Sequence, residues 1–247
     1  MKTSDFDYQL PPEFIAQTPL EALDSSRLMV LERESGAIIH TIFRQIGQFL
    51  RPGDLLVINE TRVIPARLFA RKADSGGRVE LLLLKKVDWR TWETLVGGKG
   101  LRLGRRLLLE PLHEGDTVPD AEITSVLDGP RRLVRFSEPL EPYLANLGHV
   151  PLPPYIHTVL ENPERYQTVY ASQPGSSAAP TAGLHFTPEL MQSLLEQGVH
   201  FTNVTLHVGL DTFAPVTEDD PQEHIIHTEW CQFCLLYTSP SPRDRTR

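Results

Sequence analysis

The sequence has only two cysteines, Cys231 and Cys234, and they form one C-x-x-C pair, which could be half of a zinc site or a redox motif. It also has no long apolar run. The longest, LLLL at 81–84, is followed by two lysines and is far too short to cross a membrane. The N-terminal MKTSDFDYQLPPE is acidic and has no apolar stretch, so no secretion signal is expected. These absences predict a cytoplasmic protein with no membrane partner.

Several common catalytic motifs are missing as well. The sequence has no G-x-x-x-x-G-K-[ST], which excludes a P-loop, and no G-x-S-x-G, which argues against a hydrolase nucleophile. The glycine-rich VGGKGLRLG lacks the G-x-G-x-x-G spacing and lies among predicted strands rather than before a helix. A usual dinucleotide-binding or methyltransferase fingerprint is therefore absent.

The C-terminal residues differ in character from the rest of the chain. From Cys234 the sequence reads CLLYTSPSPRDRTR, which is rich in proline, serine and arginine and has no periodicity. The block CLLYTSPSPRD resembles the translation of a sequencing-library adapter. Residues 234–247 are therefore expected to be a non-native, disordered tail, and the C-x-x-C pair to be an accident of the junction.

The formal net charge of −8 argues against a nucleic-acid partner, but the charge is unevenly distributed. Residues 61–136 contain 15 Lys and Arg against 10 Asp and Glu, whereas the remainder contains 9 against 22. Basic strands that face solvent are often only a solvated surface. The asymmetry nevertheless supports a separate module in the middle of the chain, with nucleic acid as one possible partner.

The pattern of secondary-structure signals supports the same division. RLMVLER and AIIHT predict a hairpin, TIFRQIGQFL a short helix, and the continuous apolar LLVIN a strand covered on both faces. Six short strand-like segments then follow between residues 67 and 136, as in a small barrel. The predicted fold is an α/β domain of residues 1–62 and 150–233, incomplete at its C-terminus, with a smaller all-β barrel-like domain inserted at 63–149.

One stretch, GSSAAPTAGLHFTPEL, has the features of a ligand site. Small residues allow a ligand to approach the backbone, and Thr187 and Pro188 predict the start of a helix that Gly198 ends. The free N–H groups at such a helix end can hold a polar or anionic ligand. The alternative is a tight loop whose small residues only permit packing.

Two other histidine patterns admit more than one interpretation. His224, His227 and Glu229 have a metal-like spacing, although EHIIHTE also fits a simple helix start. His207 alternates with apolar neighbours, which favours a buried histidine with satisfied hydrogen bonds.

Taken in order, a set of motifs closely resembles the S-adenosylmethionine:tRNA ribosyltransferase-isomerase family of queuosine biosynthesis. The set comprises DFDYQLPPEFIAQTP, SRLMVL, GDLLVINETRVIPARL, GGRVELLL, YQTVYA, AAPTAGLHFTPEL, TLHVGLDTFAPV and HIIHTEW. APTAGLHFT followed by LHVGLDTFAPV is the most specific part. The sequence departs at Glu60, where the family commonly has Asp, and at Asp211, where it has Gly. Family members also continue for about another third of a chain.

The resemblance implies transfer and isomerisation of the ribosyl moiety of S-adenosylmethionine onto 7-aminomethyl-7-deazaguanine in tRNA. The products are epoxyqueuosine in tRNA, adenine and methionine, and S-adenosylmethionine is a consumed substrate rather than a cofactor. No cofactor or metal is expected, and the partners are tRNA and S-adenosylmethionine, with the protein a monomer.

Site residues follow from the same resemblance and from local chemistry. His185 is the candidate for acid–base catalysis, with loop anchoring as its alternative. The candidates for substrate binding are Thr181, Gly183, Asn59, Arg62, His207 and Glu229; for Asn59 and Arg62 a turn-stabilising role is as plausible. The candidates for tRNA phosphates are Arg102, Arg105 and Arg106.

Two rival functions stay open at this point. A non-catalytic RNA-binding protein built on a small β-barrel would explain the basic middle but leaves APTAGLHFT unexplained. A metal-dependent hydrolase would use His224, His227 and Glu229. Because about a third of the usual chain is absent, the 247-residue chain is itself expected to be inactive and prone to aggregate.

Overall fold

The computed structural model describes residues 1–158, 160–209, 216, 218–224 and 228–232. The chain forms two compact units, one of Met1–Arg62 and Pro153–Arg247 and the other of Val63–Leu152. The second unit is a β-barrel followed by two short helical segments, and it interrupts the sequence of the first unit, which combines helices with small sheets. The predicted fold class is confirmed.

The described strands are β1 (Arg27–Leu31), β2 (Ile38–Ile42), β3 (Leu55–Asn59), β4 (Thr61–Val63), β5 (Arg67–Lys72), β6 (Arg78–Lys86), β7 (Thr91–Gly97), β8 (Arg106–Leu109), β9 (Asp120–Val126), β10 (Arg131–Phe136), β11 (Gly148–His149), β12 (Gln173–Ser176), β13 (His200–His207) and β14 (Trp230–Gln232). The α-helices are α1 (Leu144–Leu147) and α2 (Pro188–Glu196). Short 3-10 helices cover Thr3–Phe6, Pro12–Phe14, Leu23–Ser25, Phe43–Phe49, Glu141–Tyr143, Pro163–Tyr166, Thr181–His185 and Pro221–Glu223.

The barrel is built from six antiparallel strands in the order β5-β6-β7-β10-β9-β8, and pairing of β5 with β8 closes it. Its strands alternate in burial, so that in β6 Val79, Leu81 and Leu83 face the core while their neighbours are more exposed. Because the barrel is closed, each of its six strands pairs with a neighbour on both sides. The short strand β11 adds a further pairing to β5. The barrel predicted from the sequence is confirmed.

The first unit has a small core around α2. Phe43, Phe186, Leu190, Leu194 and Val199 form it. The predicted helix is confirmed with its start at Pro188, and Gly198 ends it in the left-handed region at φ +84°. Leu190 and Leu194 of this helix are buried, whereas Leu195 is exposed.

Three small sheets belong to this unit: the predicted β1–β2 hairpin, the pair β4–β12, and the sheet β14-β13-β3. In the last of these, β3 and β13 are parallel and β14 is antiparallel to β13.

The prediction that LLVIN is covered on both faces was wrong. Leu55 and Val57 of β3 are 54% and 62% exposed, because no described element packs over that face of the strand. Among the described strands, β3 pairs only with β13 and so lies at the edge of its sheet.

Two further predictions concern the short helix after β2 and the C-terminal tail. The short helix expected from TIFRQIGQFL is a 3-10 helix, Phe43–Phe49. The predicted disordered tail, 234–247, lies outside the described residues, as do Asp211 and His227. Among the helices that are described, none combines the length and apolar character that a membrane span needs.

Candidate active site

Asn59 ties together the ends of the parallel strands β3 and β13. Its Nδ2 donates to the carbonyl oxygen of Leu206 (2.8 Å), and its Oδ1 accepts from the backbone N–H groups of Leu206 (3.0 Å) and Thr61 (3.1 Å). Both ends of the amide are therefore engaged within the protein. These bonds support the turn-stabilising alternative for Asn59.

His207 lies beside this junction and is held on several sides. Its Nδ1 is 2.7 Å from the hydroxyl oxygen of Thr61, which is buried, and its ring stacks on Trp230 with centroids 4.7 Å apart and planes 16° apart. The backbone of Gly175 closes on the other nitrogen, since a methyl group there would lie 2.5 Å from Nε2. Burial lowers the pKa of the His207 imidazole, which favours its neutral form.

Glu60 stands where the resembled family commonly has Asp, and its carboxylate accepts hydrogen bonds from three uncharged side chains. It accepts hydrogen bonds from the hydroxyl groups of Thr205 (3.1 Å) and Ser172 (3.0 Å) and from Nδ2 of Asn203 (3.0 Å). The Glu60 side chain, one methylene longer than Asp, thus forms hydrogen bonds with β13 and with the loop before β12.

The three residues with metal-like spacing, His224, His227 and Glu229, are not seen to form a metal site among the described residues. Glu229 Oε1 accepts from the backbone N–H of Gly209 (3.0 Å), just after β13. His224 Nδ1 is 2.9 Å from Glu218 Oε2, and His227 lies outside the described residues. In the part of the chain that the structure describes, no group of three or more His, Cys, Asp or Glu side chains is placed to hold a metal ion.

The small residues of the GSSAAP segment are packed against the end of β13. Ser176 Oγ donates to the carbonyl oxygen of Ala178 (2.7 Å) and accepts from the N–H of Val208 (2.9 Å), while the N–H of Ser177 donates to the Val208 carbonyl (2.9 Å). Ser176 through Ala179 are buried. Packing therefore accounts for the small side chains of this segment.

The next residues of the predicted ligand-binding stretch form the 3-10 helix Thr181–His185. Thr181 is exposed on it and Gly183 is buried. A methyl group at Gly183 would lie 2.2 Å from the hydroxyl oxygen of Tyr170, so glycine is required there by a close approach. The Tyr170 hydroxyl stays protonated at neutral pH, because burial raises its pKa.

His185 ends this 3-10 helix, with its ring against Phe43 at a centroid distance of 5.2 Å. Its Nδ1 is buried and has no hydrogen-bond partner among the described residues. The hydroxyl oxygen of Thr168, a residue 4% exposed, is likewise buried without a partner there, and the Thr168 methyl group lies beside Gly183. Buried polar atoms are almost always paired, so an unpaired one calls for an explanation, such as local strain or a partner supplied by a water or a ligand.

The N-terminus of α2 is less open than the sequence analysis expected. Thr187 Oγ1 accepts from the N–H of Leu190 (3.2 Å), and Pro188 has no N–H to offer. A cleft of about 660 Å³ lies beside this end, and Asp24, Arg44 and Arg165 are among its lining residues. His185 does not line it.

Asp24 and Arg44 form a two-point ion pair in this cleft, with N···O distances of 2.8 and 2.9 Å. Hydrogen bonding to the Arg44 guanidinium lowers the pKa of the Asp24 carboxyl. The charges that line the cleft are therefore partly neutralised within the protein.

The predicted arginines differ in their surroundings. Arg62 pairs with Glu164. In the barrel, Arg105 pairs with Asp74, and Arg106 lies 3.2 Å from Asp120. Arg102 is exposed and no described side chain forms an ion pair with it.

The chain matches the family model described as "Queuosine biosynthesis protein" over residues 3–234. It is similar to S-adenosylmethionine:tRNA ribosyltransferase-isomerases of Dehalococcoides mccartyi, at 52% identity over 93% of this chain and 66% of that one, and of Carboxydothermus hydrogenoformans, at 52% identity over 93% and 67%. A solved S-adenosylmethionine tRNA ribosyltransferase from Thermotoga maritima is 37% identical, covering 83% of this chain and 59% of that chain, with a TM-score of 0.34.

The chain belongs to the queuosine biosynthesis protein family. It spans about two thirds of the length of the two curated relatives named above.

Within this family member, the structure brings Asn59 and His207 together at the ends of β3 and β13. It places Gly183, which shares its 3-10 helix with His185, against Tyr170 and Thr168. Neither of these last two residues was predicted from the sequence as a site residue. Their signal was present, since both lie in YQTVYA, one of the motifs that carried the resemblance.

Proposed function

We propose that this protein transfers and isomerises the ribosyl moiety of S-adenosylmethionine onto 7-aminomethyl-7-deazaguanine in tRNA. The products would be epoxyqueuosine in tRNA, adenine and methionine. The observation that carries the proposal is identity of about half of all residues, over 93% of the chain, with proteins named as S-adenosylmethionine:tRNA ribosyltransferase-isomerases. On this proposal S-adenosylmethionine and tRNA are both substrates, and the protein works in the cytoplasm.

The chemistry sets three requirements for the site. The sulfonium of S-adenosylmethionine makes the adjacent ribose carbon acidic, so a general base must remove a proton there. Departure of adenine needs a proton donor, and the aminomethyl group of the modified base supplies the nucleophile. Groups for proton transfer must lie within hydrogen-bonding reach of the substrate.

S-Adenosylmethionine is proposed to bind beside the 3-10 helix Thr181–His185. Two unpaired buried groups support this location: Nδ1 of His185 and the hydroxyl of Thr168. Each lacks a partner among the described residues and would gain one from a polar ligand, which offsets the cost of its burial. Exposed Thr181 lies at the start of the same helix and is proposed to contact the ligand.

His185 is proposed to be the acid–base group. Imidazole side chains can both donate and accept a proton, and the His185 ring packs against that of Phe43. His207 and Glu229 are proposed to shape the neighbouring strand ends rather than to transfer protons, because both already bond within the protein.

The test is release of adenine from S-adenosylmethionine when tRNA bearing 7-aminomethyl-7-deazaguanine is added. It is run on this chain and on a chimera in which residues 1–232 replace the matching part of the Carboxydothermus relative, with that relative as the positive control. Release of adenine by the chimera, and its loss in His185→Ala with tRNA binding retained, is expected. A chimera that folds and binds tRNA but releases no adenine would contradict the proposal and favour a non-catalytic RNA-binding protein.

A further inference from the structure

The two ends of the barrel carry opposite charge. Because every pair of neighbouring strands in the barrel is antiparallel, the connections 72–78, 97–106 and 126–131 lie at one end. We call this the basic end. The connections 86–91 and 109–120 lie at the other, the acidic end.

The charge count of these connections is lopsided. Those at the basic end contain seven Lys and Arg against two acidic residues, whereas those at the acidic end contain two against five. Basic and acidic residues are therefore unevenly distributed between the two ends of the barrel, as well as along the sequence. Such an arrangement orients a polyanion toward one end of the barrel.

The long connection 97–106 is fixed to the barrel rather than loose. Leu101 is buried in the core, and its carbonyl oxygen accepts from Nε of Arg132 (3.0 Å). Arg105 pairs with Asp74 of the neighbouring connection. The charged side chains of this segment thus project from an ordered backbone.

Four cations at the basic end have no ion-pair partner among the described residues: Lys72, Arg78, Lys99 and Arg102. Arg78, Lys99 and Arg102 are exposed. Lys72 lies across the glycines of two adjacent connections, since methyl groups at Gly77 and Gly100 would be 3.5 and 4.0 Å from its Nζ. Lys72 itself is half-buried.

We propose that the basic end of the barrel binds the phosphate backbone of tRNA through Lys72, Arg78, Lys99 and Arg102. This inference rests on the proposed function for the choice of tRNA as the polyanion. Of the three arginines predicted from the sequence, Arg102 contacts phosphate, while Arg105 and Arg106 use their charge on Asp74 and Asp120. Contacts of this kind position the RNA without reading its sequence.

The test compares two double variants of the full chain that remove the same charge from opposite parts of the barrel. Lys99→Gln with Arg102→Gln alters the basic end. Lys85→Gln with Arg135→Gln is the matched control, since both of its residues are exposed and lie toward the acidic end. Binding of tRNA is measured from low to moderate salt, and thermal unfolding checks that each variant folds.

The basic-end variant is expected to weaken binding at low salt. It should also reduce the slope of log K against log salt by about 0.7–0.9 for each phosphate that the protein no longer neutralises. The control variant is expected to keep the wild-type slope. Equal slopes in the two folded variants would overturn the inference.

Adenine release separates this inference from the proposed function. The basic-end substitutions are also made in the chimera. If they leave the salt dependence of tRNA binding unchanged while the chimera releases adenine normally, only the tRNA-binding surface is contradicted. If the basic-end substitutions reduce the salt dependence of tRNA binding but the unsubstituted chimera never releases adenine, the tRNA-binding surface is supported and the proposed enzymatic activity is contradicted.

Discussion

At the scale of single residues, the unpaired hydroxyl of Thr168 separates stability from ligand binding. Thr168→Val removes a buried group that bonds to no described residue, so the free energy of unfolding is expected to stay unchanged or to rise by about 1 kcal/mol. Loss of one ligand hydrogen bond should weaken S-adenosylmethionine binding about threefold to tenfold, as measured by calorimetry.

Thr205→Val is the matched control for that substitution, because the Thr205 hydroxyl is also buried but donates to Glu60 at 3.1 Å. It is expected to lower stability by about 1 kcal/mol. If Thr168→Val were the more destabilising of the two and left ligand affinity unchanged, the assignment of Thr168 to the ligand site would be wrong.

His207 gives a residue-scale prediction about pH. Burial lowers its pKa below the ordinary value of 6.5, so the unfolded chain takes up a proton at a pH where the folded one does not. Stability should therefore be complete above about pH 6.5 and decline as the pH falls below it.

The pH dependence is checked by urea denaturation between about pH 7.5 and 5, which spans the ordinary histidine pKa. His207→Asn should flatten the decline, whereas His40→Asn, at an exposed position on β2, should leave it as in the wild type. An unchanged decline in His207→Asn would show that another group causes it.

At the scale of elements, the turn from α1 into β11 depends on the lack of a side chain at Gly148. A methyl group there would lie 2.0 Å from the backbone carbonyl oxygen of Pro65, which cannot move aside as a side chain can. Gly148→Ala should destabilise the barrel by about 3 kcal/mol, as in strongly overpacked cores.

Gly97→Ala is the control, because its methyl group would meet Glu80 at ordinary contact distances, 3.4 Å from Cβ and 4.0 Å from the carbonyl oxygen. A change of under about 1 kcal/mol is expected there. The measurement is the urea midpoint of barrel unfolding, and equal midpoints for the two variants would contradict the steric argument.

Elements also mark where prediction from the sequence succeeded and where it stopped. Short strand-like segments separated by turn residues were enough to place the six barrel strands. The run LLVIN misled, because an unbroken apolar run cannot tell which neighbours will cover it. The pairing of β5 with β8 and the unpaired Thr168 hydroxyl arise from contacts between distant segments, which periodicity does not report.

At the scale of the whole molecule, the proposed S-adenosylmethionine site and the proposed tRNA-binding surface lie in separate units. The unpaired polar groups at the 3-10 helix Thr181–His185 belong to the first unit, and the basic end belongs to the inserted barrel. The net charge of −8 conceals this division, because acidic residues elsewhere outweigh the barrel. The division predicts that substitutions at the basic end change tRNA affinity without changing the binding of S-adenosylmethionine.

The most direct test follows the fate of the sugar. The chimera is incubated with substrate tRNA and S-adenosylmethionine labelled either in its ribose or in its methyl group, and the label in tRNA is counted. The account predicts that ribose label enters tRNA in step with adenine release and that methyl label does not. Methyl label in tRNA, or ribose label absent from tRNA while the unmodified relative incorporates it, would contradict it.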